Sequence, residues 1–250
     1  VERLVRNGDQ VHVVTRSTEN LPAGVEGHAV DLRVADQVTA LLKNVRPTHL
    51  LHLAWETTPG KFWHAAENLD WVAASLHLLK DFTTLGGQRA VLAGSCAEYD
   101  WSSAGVLSEE TTLLQPATLY GECKHALRDR GQAFAQQQRL SFAWGRLFFL
   151  YGPREHPQRL VASVIRSLLD EVPALCTVGT QQRDFLHVDD AAAALVQLLD
   201  SDVRGAINIG SGQAVTVRDV VQSIAQQLGK EDLLRLGALP TSSGEPSLLV

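Results

Sequence analysis

THLLHLA (Thr48–Ala54) and RAVLAGS (Arg89–Ser95), separated by the long amphipathic stretch Ala65–Leu85, decide the fold. Both short runs are nearly apolar throughout, as strands are when a parallel sheet is covered on both faces. Ala65–Leu85 has the length of a helix, and Gly86-Gly87 closes it. A strand, a helix and a second strand of these lengths make a βαβ unit with a right-handed crossover. Upstream, VHVVT (Val11–Thr15) is a further buried strand, set off by Gly8 from the helical fragment VERLVRNG. Val34–Val45 has helical spacing, with Leu41 and Leu42 on its apolar side. Downstream, the pattern predicts a helix from Thr118 to Gln138 and a strand over SFAWGRLFFL (Ser141–Leu150). This alternation predicts an α/β protein with a doubly wound parallel sheet.

The rhythm changes after Tyr151-Gly152-Pro153. A helix is expected at Leu160–Asp170, strand-like pieces at Leu175–Val178 and Arg183–Val188, and a helix at Asp189–Leu199. Ala206–Gly210 reads as a short strand, and Thr216 as the cap of a helix running towards Leu228. We therefore expect a dinucleotide-binding domain made of residues 1–149 and 186–210, and a smaller lobe made of 150–185 and 211–250.

Of the 250 residues, 45% are hydrophobic and 20% charged, enough to bury a core and unlike a disordered chain. The net charge of −6, with signs interspersed, argues against a nucleic-acid coat protein but leaves room for a local basic pocket. No apolar run approaches the ~18–20 residues of a membrane span. Cys96, Cys123 and Cys176 show no CxxC spacing, which suits a reduced, cytoplasmic setting. The sequence contains no Met, opens on a helix fragment and stops in the apolar run PSLLV, so it reads as lacking both ends. The first strand and glycine-rich phosphate loop of such a fold are then expected upstream of Val1. No metal site is expected, because His52, His125 and His187 lack a supporting Cys or carboxylate cluster.

Ligands of an open parallel sheet bind beyond the carboxyl ends of its strands. That rule selects Arg16, Ala54-Trp55, Ser95 to Glu98, and Phe148. Arg16 suits the 2′-phosphate of NADP, where a carboxylate would suit NAD; a solvated loop arginine is the plainer alternative. Asp31-Leu32 either frames an adenine ring or makes an ordinary turn. Tyr120 and Lys124 lie one helical turn apart and share a face. An ammonium beside a phenol favours the phenolate and so lowers its pKa, which suits acid/base work near neutrality. Ser95, ending an apolar strand, can hydrogen-bond the same substrate oxygen. No GxSxG elbow surrounds it, which speaks against a serine hydrolase.

LLHLAW (Leu50–Trp55), LAGSCAEY (Leu92–Tyr99), LYGECK (Leu119–Lys124), RLFFLYGP (Arg146–Pro153), RDFLHVDD (Arg183–Asp190) and INIGSG (Ile207–Gly212) follow one another along the chain. In that order they resemble the NAD-dependent epimerase/dehydratase family, the extended short-chain dehydrogenases that act on nucleotide sugars. The resemblance implies a Rossmann domain, a bound NAD or NADP, and a C-terminal lobe that holds a nucleoside diphosphate sugar. Tyr120 would be the acid/base, Lys124 would hold the nicotinamide ribose, and Ser95 would orient the sugar oxygen. Leu53, Ala54 and Trp55 would line the cofactor. Arg183 would pair with the diphosphate, its alternative being a surface salt bridge with Asp184. Arg154, His156 and Arg159 form a basic patch that either meets phosphates or is solvated. A homodimer through Ala65–Leu85 and Thr118–Gln138 is also implied.

The chain departs from the family at several positions. Ser95-Cys96-Ala97 stands where dehydratases carry Thr-Asp-Glu, which disfavours 4,6-dehydration. Glu98 is shifted in register, either contacting substrate or pointing to solvent. Cys96 reads more readily as a small buried thiol than as a catalytic one. Phe149 replaces an Asn that contacts the sugar nucleotide, and Asn68 stands one turn from Trp71, where an Asn is usual. These features lead us to expect hydride transfer at C4 of a nucleoside diphosphate hexose, by a 4-ketoreductase or a 4-epimerase, with Arg16 favouring NADP. A non-catalytic dinucleotide-binding sensor or scaffold of the same fold is the alternative.

Overall fold

The computed structural model describes residues 1–102, 105–241 and 244–250. The first half runs α1 (Glu2–Asn7), β1 (Val11–Thr15), β2 (Val25–Ala29), α2 (Ala35–Val45), β3 (His49–His52), α3 (Glu67–Thr84), β4 (Arg89–Ser95) and α4 (Leu119–Gln138). Then come β5 (Ser141–Leu147), β6 (Phe149–Tyr151), α5 (Leu160–Leu169), β7 (Ala174–Leu175), β8 (Gln182–His187), α6 (Val188–Leu199) and β9 (Gly205–Ile209). The chain closes with β10 (Ala214–Thr216), α7 (Val217–Leu228), β11 (Leu234–Arg235) and β12 (Leu248–Leu249).

Four parallel strands in the order β3-β4-β5-β9 form the central sheet, and β1 pairs with β2 in a parallel sheet of two. Ala90 to Leu92 of β4 and Phe142 to Trp144 of β5 are shut off from solvent, the double-sided burial their composition predicts. On one face, Leu78, Leu79 and Phe82 of α3 and Leu127 of α4 pack on Leu92, Phe142 and Trp144. On the other, Ala191, Leu195 and Leu198 of α6 pack on Val91 and Ala143. The α/β fold with helices on both faces of a parallel sheet is thus present.

SFAWGRLFFL is not one strand. It breaks at Phe148: β5 ends where its neighbour β9 ends, at the Leu147–Ile209 pair, and Phe149–Tyr151 crosses over to pair with Phe185–His187 of β8. Phe148 turns inwards between the two sheets, against Cys96, Tyr99 and Leu107. β8 also pairs with β10 and β12, and β7 with β11. A third apolar cluster, built on Val164, Leu168 and Val221, joins α5 to α7. Among the described residues no helix is long and apolar enough to cross a membrane.

Candidate active site

Ser95 is the last residue of β4, and the chain turns there into a single 3₁₀ turn, Cys96–Glu98. A capping box fixes that turn. Ser95 Oγ accepts from the Ala97 N–H at 3.2 Å, and Glu98 Oε1 accepts from the Ser95 N–H at 2.8 Å. Glu98 is fully buried, and it also accepts from Trp144 Nε1 at 2.8 Å and from Arg146 Nε at 2.9 Å. Arg146 donates from Nη1 to the Tyr99 hydroxyl, which donates to Asn208 Oδ1. Gly94 makes this approach possible, since a Cβ there would lie 2.0 Å from Trp144 Nε1 and 2.6 Å from Glu98 Oε1. The expectation that Glu98 meets substrate or solvent is therefore corrected: its carboxylate is a strut between β4 and β5. A buried carboxylate persists only when paired and hydrogen-bonded, and Arg146 with the two N–H donors meets that demand.

Helix α4 brings the tyrosine to this turn. Thr118 caps it, accepting from the Gly121 N–H at 3.1 Å. Gly121 rests directly on the turn, where a Cβ would stand 2.3 Å from the Ala97 carbonyl oxygen. Tyr120 is thereby held near Ser95, whose side chain favours the phenolate. The phenol ring lies edge-on to Phe62, Trp63 and Trp55, with centroids at 4.9, 5.7 and 6.4 Å.

Burial in this aromatic enclosure pushes the Tyr120 pKa up to about 12, and the neighbouring Ser95 side chain opposes the rise without cancelling it. Lys124, expected to acidify the phenol, does not do so here. Its Nζ is 6.0 Å from the Tyr120 ring centroid, donates to the Ala93 carbonyl at 2.8 Å and sits 3.9 Å from the Trp55 ring centroid. Desolvation lowers the lysine's own pKa to about 7, with the Glu98 charge partly offsetting it. Burial outweighs charge proximity for both groups.

Other strand-end residues gather around this centre to different degrees. Leu53, just past β3, leaves its large apolar side chain 54% exposed, a surface suited to ligand cover. Trp55 covers Lys124 and donates from Nε1 to Asn68 Oδ1 at 2.8 Å, with the half-buried Ala54 beside it. Asp31 and Leu32 line an open groove of about 540 Å³ with Ala73, Ala74 and His77 of α3. Arg33 forks onto Asp31 at 3.0 and 2.8 Å and holds that carboxyl down at about 2. Arg16 is exposed beyond β1. Phe148 is not brought to this group, because it is buried in the cluster with Cys96. These placements fit a dinucleotide lying across the strand ends, with Asp31-Leu32 at one end and Lys124 at the other.

The substrate-side expectations need revision. Arg183 is buried, and its fork is already engaged: Nη1 donates to the Gln182 and Pro246 carbonyls and Nη2 to Glu245 Oε1 at 2.8 Å. The alternative surface bridge to Asp184 is absent, for Asp184 accepts instead from Ser211 and Gly212. Arg154 and His156 are exposed. Arg159 reaches farther, with Nη2 3.4 Å from the Thr57 carbonyl and its guanidinium over Phe62. Cys96 is buried, which pushes its thiol up to about 12 and makes it a poor nucleophile. His52 is buried on Ser75 Oγ, His125 pairs with Asp129, and His187 caps α6.

Phe62 and Trp63 were not anticipated as part of the centre, whereas Asn68 stood out for its place one turn before Trp71. Asn68 is fully buried and pins the segment between β3 and α3, its amide nitrogen donating to the Phe62 and Ala65 carbonyls. The signal available was the aromatic pair Phe62-Trp63 in a polar stretch after a strand end, where apolar side chains need a partner.

The sequence pattern of the NAD dependent epimerase/dehydratase family matches residues 1–210. UDP-glucuronate 4-epimerase 4 of Arabidopsis thaliana is 25% identical over 256 residues, covering 90% of this chain and 57% of the relative. UDP-glucuronic acid decarboxylase 1 of Xenopus tropicalis is 27% identical over 240 residues, covering 91% and 56%. The chain thus spans a little over half the length of these curated relatives. The solved structure of Thermus thermophilus UDP-glucose 4-epimerase in complex with NAD superposes with a TM-score of 0.85 at 26% identity, covering 100% of this chain and 84% of that one. Serine, tyrosine and lysine at the strand ends of this sheet, together with a match over residues 1–210, make the chain a member of the NAD dependent epimerase/dehydratase family.

Proposed function

We propose that the protein is a nucleotide-sugar oxidoreductase acting at C4 of a nucleoside diphosphate hexose, most simply a 4-epimerase. The observation that carries this reading is the seating of the start of α4 on the turn after Ser95, which brings Tyr120 to the end of β4 with Lys124 one turn further along the helix. Two hydroxyls at one point can hold a single sugar oxygen and pass its proton. Tyr120 Oη takes the proton from the C4 hydroxyl and returns it, while Ser95 Oγ holds that oxygen in line. A phenol raised to about 12 stays protonated at neutral pH and is a weak acid, so base action calls for a positive charge that stabilises its phenolate.

A nicotinamide dinucleotide, when bound, supplies the hydride chemistry. Asp31, Leu32, Leu53, Ala54, Trp55 and Lys124 would hold it. NAD is favoured by the relatives described above, and the 4-epimerase reading follows their chemistry. The exposed Arg16 at the end of β1 supports the second reading, a 4-ketoreductase that uses exchangeable NADPH. Dehydration is disfavoured by Ser95-Cys96-Ala97, whose buried thiol offers no acid/base pair. In the same reading, residues 150–185 and 211–250 form the lobe that holds the sugar nucleotide, and α3 with α4 forms a homodimer face in a cytoplasmic enzyme.

Purified full-length protein, analysed for bound dinucleotide and incubated with UDP-glucose and UDP-glucuronic acid, tests this. Retained NAD and formation of the 4-epimer support the first reading, and exchangeable NADPH with reduction of a 4-keto sugar supports the second. Failure to bind either dinucleotide overturns both.

A further inference from the structure

The two-stranded sheet carries a side-chain group that the site above does not use. His12 of β1 stands opposite Glu26 of β2 in the ladder, and His28 follows Glu26 by one pleat repeat. Alternation along each strand therefore puts all three on one face. Their ligand atoms lie within 4.8 Å of one another. His12 Nδ1 is 2.9 Å from His28 Nε2, and the rings stack with centroids at 5.2 Å. The Glu26 carboxylate converges on the same two nitrogens at 3.6 and 3.8 Å, beyond hydrogen-bond reach of either.

A tetrahedral ion with bonds of about 2.0–2.2 Å holds its ligand atoms roughly 3.3–3.5 Å apart. The nitrogen–nitrogen edge seen here is 2.9 Å, and the carboxylate reaches the two nitrogens through different oxygens, Oε2 at 3.6 Å from His12 Nδ1 and Oε1 at 3.8 Å from His28 Nε2. To hold an ion the nitrogen–nitrogen edge has to open by a few tenths of an ångström, and one carboxylate oxygen has to turn in towards both nitrogens. Glu26, whose carboxylate must turn to present one oxygen, is 60% exposed and free to do so, whereas the imidazoles that must part are 19% and 13% exposed. Exposure on the Glu26 side leaves a fourth position open to water. Two imidazoles and one carboxylate suit a borderline transition metal; calcium and magnesium take mostly oxygen ligands.

We propose that His12, Glu26 and His28 form a binding site for a divalent transition metal of the zinc class, which clamps β1 to β2. The site stands apart from Tyr120 and Lys124 and does not depend on the proposed reaction.

The test is titration of the full chain, stripped of metal by chelator, with Co²⁺ alone and then with Zn²⁺. One equivalent of Co²⁺ should give the intense visible absorption of four-coordinate cobalt, Zn²⁺ should displace it, and Zn²⁺ should raise the thermal midpoint. His28→Gln should abolish the cobalt bands. Glu26→Gln, at an exposed position that leaves folding intact, should weaken Zn²⁺ binding at least about tenfold, since even outer-shell changes cost 10–100-fold. Absence of saturable binding to the parent chain, or binding unchanged in both variants, overturns the proposal.

Discussion

Lys124 holds its ammonium 3.9 Å from the centroid of the Trp55 indole, with the Ala93 carbonyl as its hydrogen-bond acceptor. The contact joins α4 to the loop after β3, and a desolvated cation over indole is worth about 2 kcal/mol. Even so, burial dominates and brings the lysine to about 7.

A pH dependence follows. The unfolded chain keeps this proton up to about 10.5, the folded chain only to about 7, so between those values the unfolded state binds more protons. Stability should therefore rise with pH across that window as far as this residue is concerned. Urea denaturation at a series of pH values should show the rise, and Lys124→Met should flatten it. Indole emission should titrate with a midpoint near 7 in the parent protein and lose that step in the variant.

Tyr120→Phe keeps the ring that packs on Phe62, Trp63 and Trp55 and removes only the hydroxyl. Turnover should fall by about 10²–10⁴-fold, the usual worth of a positioned acid/base. Dinucleotide binding and the thermal midpoint should change little. Unaltered kcat would show that the proton passes through another group.

Arg146→Met leaves Glu98 as an unpaired buried carboxylate and should cost about 3–5 kcal/mol by chemical denaturation. Combining it with Glu98→Gln should cost much less than the sum of the two single changes, because the second change relieves the charge stranded by the first. Additive losses would show that the pair at 2.9 Å is not coupled.

Gly121→Ala places a methyl 2.3 Å from the Ala97 carbonyl oxygen, so the start of α4 must back away from the 3₁₀ turn. Because that contact sets the Tyr120–Ser95 approach, kcat should drop more than about tenfold while KM for the dinucleotide stays near the parent value. Equal losses in both would point to general unfolding of the helix start.

Much of the frame was legible in the residues. Val11–Thr15 and Arg89–Ser95 are strands with the predicted bounds; Arg89–Ser95 is buried almost throughout, as its apolar run requires, whereas of Val11–Thr15 only Val11 is buried. Tyr120 and Lys124 share a helix face, as their spacing required. What failed to show was whatever depends on partners distant in sequence. Glu98 reads as a surface carboxylate until Arg146 and Trp144 arrive from another strand. The break at Phe148 is set by where β9 stops, which no local pattern encodes. The direction of the Tyr120 shift depended on the Phe62–Trp63 segment closing over it, and that segment has no periodicity to betray its burial. The convergence of His12, Glu26 and His28 depends on the register of two strands.

The Glu98–Arg146 strut divides responsibilities within the molecule. It references Ser95 to the rigid interior of the sheet, whereas the walls proposed to face the sugar come from loops and short outer strands. Chemistry and selectivity are thus anchored in different material. In the proposed reaction, substitutions at outer positions such as Phe149 would re-aim the site at another carbohydrate while Ser95 and Tyr120 keep their coordinates.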